Sequence, residues 1–185
     1  MAGGGTDWRF LPEMPASGRA LLLDPPDEGL AASFAVTLLA TGEPLPAAAS
    51  PFDLIALPDG LRVVDQLPAF AHHLHPRGTL FISFATPWRR RGHAVATPRQ
   101  VRRRLRQAGL RPVAVYGLWP DHLRPTYIFP LTSAALRFVF WRVLRKMPAF
   151  PRQILTHPFF MRLLIPFLPA YAIIATPAAD DDRSI

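Results

Sequence analysis

A chain of 185 residues, half of them apolar, is long enough to bury a sizeable core as a single domain and too short for two of ordinary size. It contains no cysteine, which excludes a disulfide framework, a thiolate metal site and a thiol nucleophile, and fits a cytoplasmic protein. The net charge of +8 is unevenly placed: residues 1–60 hold eight acids against Arg9 and Arg19, whereas residues 61–170 hold eighteen basic residues against Asp65 and Asp121, so the second half calls for an anionic partner.

Met1 to Ser17 reads as a loose arm anchored by Trp8, Phe10 and Leu11, because Gly3-Gly4-Gly5, Pro12 and Pro15 oppose regular structure. Its start lacks the basic-then-apolar pattern of a secretory peptide. Ala20 to Asp24 is a short continuous apolar run stopped by Pro25-Pro26, the pattern of a parallel strand covered on both faces. Gly29 to Ala35 leaves room for a brief helix only, and Val36 to Ala40 is a second apolar run, stopped by Thr41-Gly42-Glu43-Pro44.

Phe52 to Leu57 predicts the next strand, Pro58-Asp59-Gly60 a turn, and Leu61 to about Leu74 a helical stretch. Leu61, Val64, Leu67, Phe70, Ala71 and Leu74 recur at three and four residues, which puts them on one buried face. Pro68 must bend this helix or mark its first turn. His75-Pro76-Arg77-Gly78 closes it, and Thr79 to Ala85 is a strand of β-preferring residues. Thr97-Pro98 reads as an N-cap followed by proline at the first helical position, opening a helix through Gln107 that ends at Ala108-Gly109. Val101 and Leu105 take its inner face and Arg102, Arg103, Arg104 and Arg106 the outer one. Val113 to Leu118 and Tyr171 to Thr176 are the remaining strands.

Residues 119–170 differ in texture, interleaving aromatic and aliphatic side chains with arginines, as in Phe138, Phe140, Trp141, Arg142 and again in Phe159, Phe160, Met161, Arg162. The longest apolar tract, Ile154 to Ala175, is interrupted by His157, Pro158, Arg162, Pro166 and Pro169, so it predicts an amphipathic segment in a membrane interface rather than a transmembrane helix. The organisation expected is therefore an arm at 1–17, a core at 18–118 and 171–176, a mostly helical insertion at 119–170, and an acidic, disordered tail at 177–185, all within one domain.

Alternating strands and helices give an α/β, doubly wound, Rossmann-like sheet of about six strands with its crevice at the strands' carboxyl ends. Three segments make this more specific. Phe52-Asp53 opens a strand, His72 to Ser83 reads HHLHPRGTLFIS, and Ala108-Gly109-Leu110 and Tyr171-Ala172-Ile173-Ile174-Ala175-Thr176 follow. They resemble, in order, the Phe-Asp strand, the R-V-L-R-P-G-G-x-L-x-I-S stretch, the A-G-F helix end and the Y-x-I-I-A-T hairpin strand of class I S-adenosylmethionine-dependent methyltransferases of the type 11 kind. The resemblance covers about Ala20 to Leu118 and Tyr171 to Thr176. It implies S-adenosylmethionine as cofactor, held by Asp24, Gly29, Glu43 and Pro58, while the inserted apolar-basic segment points to a methyl acceptor that is small and hydrophobic or lipid-like.

Two departures mark the chain as a divergent, shortened relative of that pattern. The family's first loop is similar to D-x-G-x-G-x-G, where glycines let the backbone approach the cofactor; here Asp24-Pro25-Pro26-Asp27-Glu28-Gly29 stands in its place. Only Thr41 to Ser50 separates the second strand from the Phe-Asp strand, so one helix and one edge strand are missing, and Glu43 is the acid available for ribose hydroxyls. These departures keep open a catalytically inactive scaffold or regulatory subunit with a protein partner. Taken residue by residue, Asp24 and Glu43 read first as turn residues, with the cofactor contact as the alternative, and Asp53 reads as a structural feature of its strand.

Other candidates carry less. His72, His73 and His75 lack an i,i+4 pair or a nearby carboxylate, and helix neighbours point about 100° apart, so no metal is expected. His122 reads as a surface-loop histidine or, alternatively, a general base beside a substrate pocket. The Arg89-Arg90-Arg91 run and the outer face of Arg102 to Arg106 suit phosphates, but no nucleic-acid fold signature accompanies them. An anionic lipid surface at the inner face of a membrane accounts for both the arginines and the aromatic insertion, and nucleic acid is the weaker alternative.

Overall fold

The computed structural model describes residues 18–23, 35–39, 51–86, 96–122, 125–143, 145 and 157–178. Its strands are β1 (Arg19–Leu23), β2 (Ala35–Leu39), β3 (Phe52–Leu57), β4 (Leu74–Ala85), β5 (Leu110–Trp119), β6 (Tyr127–Pro130) and β7 (Ala170–Pro177). They form one seven-stranded sheet in the order β2-β1-β3-β4-β7-β5-β6. The pairs β2–β1, β1–β3 and β3–β4 are parallel, while β7 is antiparallel to both β4 and β5, and β6 is antiparallel to β5. The α/β doubly wound architecture expected from the sequence is therefore present, with β6 as an additional strand inside the segment expected to be helical.

Continuous apolar runs form the central strands because both faces of the sheet are covered. Side chains alternate by residue between two cores: Leu21, Leu23, Ile55, Leu57, Leu80, Ile82 and Ile173 pack on one side, and Ala20, Leu22, Leu54, Ala56, Phe81 and Ile174 on the other. The first core also receives Leu67 and Phe70 from helix α1 (Leu67–His72), Val101 and Leu105 from α2 (Pro98–Gln107), and Leu136 and Val139 from α3 (Ser133–Val143). A further helix, α4 (Pro158–Leu164), packs on α3 and leads through a single 3-10 turn, Ile165–Phe167, into β7.

The helical stretch expected from Leu61 to Leu74 divides in two. A 3-10 segment spans Gly60–Gln66, with Val63 outside helical geometry at φ −121°, ψ 17°, and α1 begins at Leu67 with Pro68 in its first turn. Proline has no amide hydrogen to continue a helix but is tolerated where a new one starts, so Pro68 fixes the restart. Strand β4 begins five residues earlier than the sequence suggests, at Leu74 rather than Thr79. The partner of Phe52 is Leu74 whereas that of Leu54 is Thr79, so the intervening residues are absorbed by a register shift. At Gly78 an added Cβ would lie 2.8 Å from the Phe52 carbonyl, which is why a glycine is kept there while Arg77 occupies the preceding position.

Helix α2 matches the sequence reading at both ends. Thr97 Oγ1 accepts a hydrogen bond from Gln100 N at 3.3 Å, and Gln100 Oε1 accepts one from Thr97 N at 2.8 Å, a reciprocal capping box. Gly109, at φ 78°, takes the left-handed turn that ends the helix. Thr97→Ala is expected to lower stability by about 1 kcal/mol, read as a shift in urea midpoint. Asp53 also has the structural role expected of it: its Oδ2 accepts a hydrogen bond from Arg19 N at 2.9 Å, fastening the start of β1 to β3.

Candidate functional site

Strands β1, β3, β4 and β5 all run in one direction, so their carboxyl ends line one edge of the sheet. The chain order reverses at β1, with β2 on one side of it and β3 on the other. In open α/β sheets such a reversal opens a ligand crevice outside the carboxyl ends. Pro58, Asp59 and Gly60 follow β3 at this edge, Thr86 follows β4, and Pro120, Asp121 and His122 follow β5.

Hydrogen bonds lock these ends together. The buried Ser83 hydroxyl donates to the Pro58 carbonyl at 2.6 Å and lies 3.5 Å from the His122 carbonyl, so β4 holds the loops after β3 and β5 side by side. Thr86 Oγ1 donates to the Leu168 carbonyl at 2.7 Å and Thr86 N to the Pro169 carbonyl at 3.0 Å, tying the end of β4 to the entry of β7. Tyr171, on β7, donates from its hydroxyl to the Ile165 carbonyl. Burial pushes that phenol up to about 12, so it stays protonated throughout the neutral range.

The chemistry of the edge centres on Asp59 and His122. One oxygen of Asp59 meets Arg62 Nε at 2.9 Å, and the other lies 3.5 Å from His122 Nε2. The second distance allows an electrostatic pair but not a well-formed hydrogen bond. His122 is only 7% exposed, and neither ring nitrogen has a hydrogen-bond partner among the described residues. A buried polar group left unpaired costs about 1–3 kcal/mol, and where one persists a bound water or ion, local strain or a catalytic role accounts for it. The expectation of a surface-loop histidine is thus corrected. The Ser83 and Asp59 contacts draw the loop after β5 inward over the sheet edge, and the imidazole goes with it.

Of the cofactor residues expected from the sequence, Pro58 stands at the crevice, buried, with its carbonyl engaged by Ser83. Asp24, Gly29 and Glu43 lie outside the described residues, as do the Arg89-Arg90-Arg91 run, the brief helix after β1 and the ends of the chain at 1–17 and 179–185. Leu23 ends β1 at the same edge, immediately before Asp24. His72 and His73 meet edge to face at 5.8 Å, and His75 Nδ1 accepts a hydrogen bond from Arg77 N at 3.2 Å; no group of three potential ligands for a metal occurs among the described residues. Sequence reasoning took Asp59 for a turn residue only. The signal available was its place in Pro-Asp-Gly directly after a buried parallel strand, where α/β sheets carry their chemistry.

No family model matches the sequence, and no curated protein matches it either. Solved structures do. The CcbJ methyltransferase from Streptomyces caelestis superposes with a TM-score of 0.52 at 10% identity, over 92% of this chain and 88% of that one. A TehB-like S-adenosylmethionine-dependent methyltransferase from Corynebacterium glutamicum gives 0.51 at 8% identity, over 89% and 82% of the two chains. Another, from Clostridium acetobutylicum, gives 0.51 at 8%, over 90% and 86%. Identities this low speak to architecture alone. With a reversal at β1, an antiparallel β7 between β4 and β5, and matches along most of both chains, the protein has the Rossmann-like fold of the class I S-adenosylmethionine-dependent methyltransferases.

Proposed function

We propose that the chain is an S-adenosylmethionine-dependent methyltransferase whose acceptor is a small hydrophobic or lipid-like molecule met near a membrane surface. The observation that carries this reading is the buried His122 imidazole, without a hydrogen-bond partner among the described residues and beside Asp59, at the carboxyl edge of a sheet whose solved neighbours include methyltransferases. The donor set fits the cofactor's chemistry: a carboxylate at the crevice suits a ligand carrying positive charge, and an orphaned imidazole suits an acceptor that must shed a proton. S-adenosylmethionine supplies an electrophilic methyl group on a sulfonium centre.

On this reading Asp24, Gly29, Glu43 and Pro58 are the cofactor-binding residues, of which Pro58 stands at the crevice. His122 lies on the acceptor side. Asp59 faces Nε2, which leaves Nδ1 to take the proton that the acceptor's hydroxyl or amine loses as it gains the methyl group, while the carboxylate steadies the imidazolium so formed. Methyl transfer needs no protein nucleophile, because holding the acceptor in line with the methyl group supplies much of the rate.

Titration calorimetry of the full chain with S-adenosylmethionine and with S-adenosylhomocysteine tests the reading, with saturable binding of both expected. The absence of heat at millimolar ligand would sink it and leave a methyltransferase-like scaffold, the reading favoured by Pro25-Pro26 in the loop after β1.

A further inference from the structure

Helix α3 turns Leu136 and Val139 into the core, and on its outer face Phe138 and Trp141 are 61% and 50% exposed. Helix α4, packed against α3, exposes Phe159 at 62% and Leu163 at 53%, and Phe167 in the turn that follows is 54% exposed. Scattered exposed apolar residues are ordinary, whereas large aromatics concentrated on two adjoining short helices mark a contact surface. Arg137, Arg142 and Arg145 are exposed beside Phe138 and Trp141, and no acidic residue occurs between Asp121 and Asp180.

We infer that the α3–α4 face docks on an anionic lipid bilayer, lying in the interface with its aromatic and leucine side chains in the acyl boundary and its arginines among the headgroups. No helix among the described residues is long and apolar enough to cross a membrane, and α3 and α4, at 11 and 7 residues, interleave arginine with aromatic and aliphatic side chains, a composition that suits in-plane segments. Charge selects this occupant over a second copy of the chain, since a two-fold contact through the same face would set Arg137, Arg142 and Arg145 against one another. Nucleic acid would account for the arginines and some stacking aromatics, but not for the exposed Leu163. The inference stands on this surface and does not depend on the methyltransferase reading.

Flotation of the full chain tests it, using vesicles of phosphatidylcholine alone and of phosphatidylcholine mixed with phosphatidylglycerol, at low and high salt. Recovery is expected with the anionic vesicles, falling as salt rises. Arg137→Glu with Arg142→Glu should weaken it at least about tenfold. Phe138→Ser with Phe159→Ser should also abolish it while leaving the far-ultraviolet dichroism unchanged. Brominated acyl chains should quench a fluorescence component that is missing in Trp141→Phe. Equal recovery on neutral and anionic vesicles, undiminished flotation of the aromatic variant, or an unquenched Trp141 would each overturn the inference. So would a single-stranded oligonucleotide complex, or a dimer, that the same aromatic variant removes without any flotation by the parent chain.

Discussion

On the proposed methyltransferase reading, His122→Phe is expected to lower methyl transfer by about 10²–10⁴-fold, the range a positioned proton acceptor contributes, while leaving Tm unchanged or raised. The two halves of this result come from one observation. An imidazole buried with both nitrogens unpaired among the described residues detracts from stability, so an aromatic ring of similar shape should relieve roughly 1–3 kcal/mol of desolvation cost, or about 2–4 °C per kcal/mol in a chain of this size. Asp59 keeps Arg62 as a partner at 2.9 Å, so the substitution does not strand the carboxylate. Calorimetric affinity for the cofactor should be unaltered. Thermal denaturation and turnover with a hydrophobic acceptor check the pair together: a marked fall in Tm would make the imidazole a structural group and remove it from the chemistry.

Phe70→Ala should have the largest effect on folding, a loss of about 3–5 kcal/mol from a total of about 5–15 kcal/mol for a typical domain. Phe70 is fully buried where α1 meets the sheet, in the core shared with Leu67, Ile82 and Leu105, and truncation there opens a cavity that fixed strands on one side cannot close. Urea unfolding should show a lower midpoint with an unchanged slope. The exposed Arg102 on α2 provides the control, since its replacement by alanine should stay within about 0.5 kcal/mol. A Phe70→Ala midpoint equal to that of the control would show that α1 is not seated as described.

Where local chemistry decides the conformation, the sequence was a good guide. The five-residue run of β1, the Phe52–Leu57 strand, the Thr97 cap with its Gln100 partner and the left-handed Gly109 each follow from neighbours within a few positions. Strand β6 escaped notice because Tyr127-Ile128-Phe129-Pro130 sits among prolines, and proline is confined in a sheet to edge strands, strand starts and bulges; the edge position is set by pairing with β5. The early start of β4 was hidden by His75-Pro76-Arg77-Gly78, which reads as a turn and is in fact accommodated by the Phe52 register shift.

The site was less legible for the same reason. His122 acquires its setting from Asp59 and Ser83, which stand 63 and 39 positions away in sequence, and no periodicity reports that. Among the described residues, α3 presents Arg137 and Arg142 to solvent beside Phe138 and Trp141, as the interleaved sequence of that segment suggests.

Strand β7 lies between β4 and β5 although it follows both in the chain. Its partners on one side, Leu80 to Ala85, are emerging from the ribosome some ninety residues before it does. Until Ala170 to Pro177 is synthesised, β4 and β5 each present an apolar strand with open hydrogen-bonding positions, and neither can be closed by anything nearer in sequence. Such late, long-range closure slows folding and lengthens exposure to misassociation. The sheet therefore forms as a unit only after Ala170 to Pro177 is synthesised, and nascent chains stalled before Ala170 are the species with most need of a chaperone.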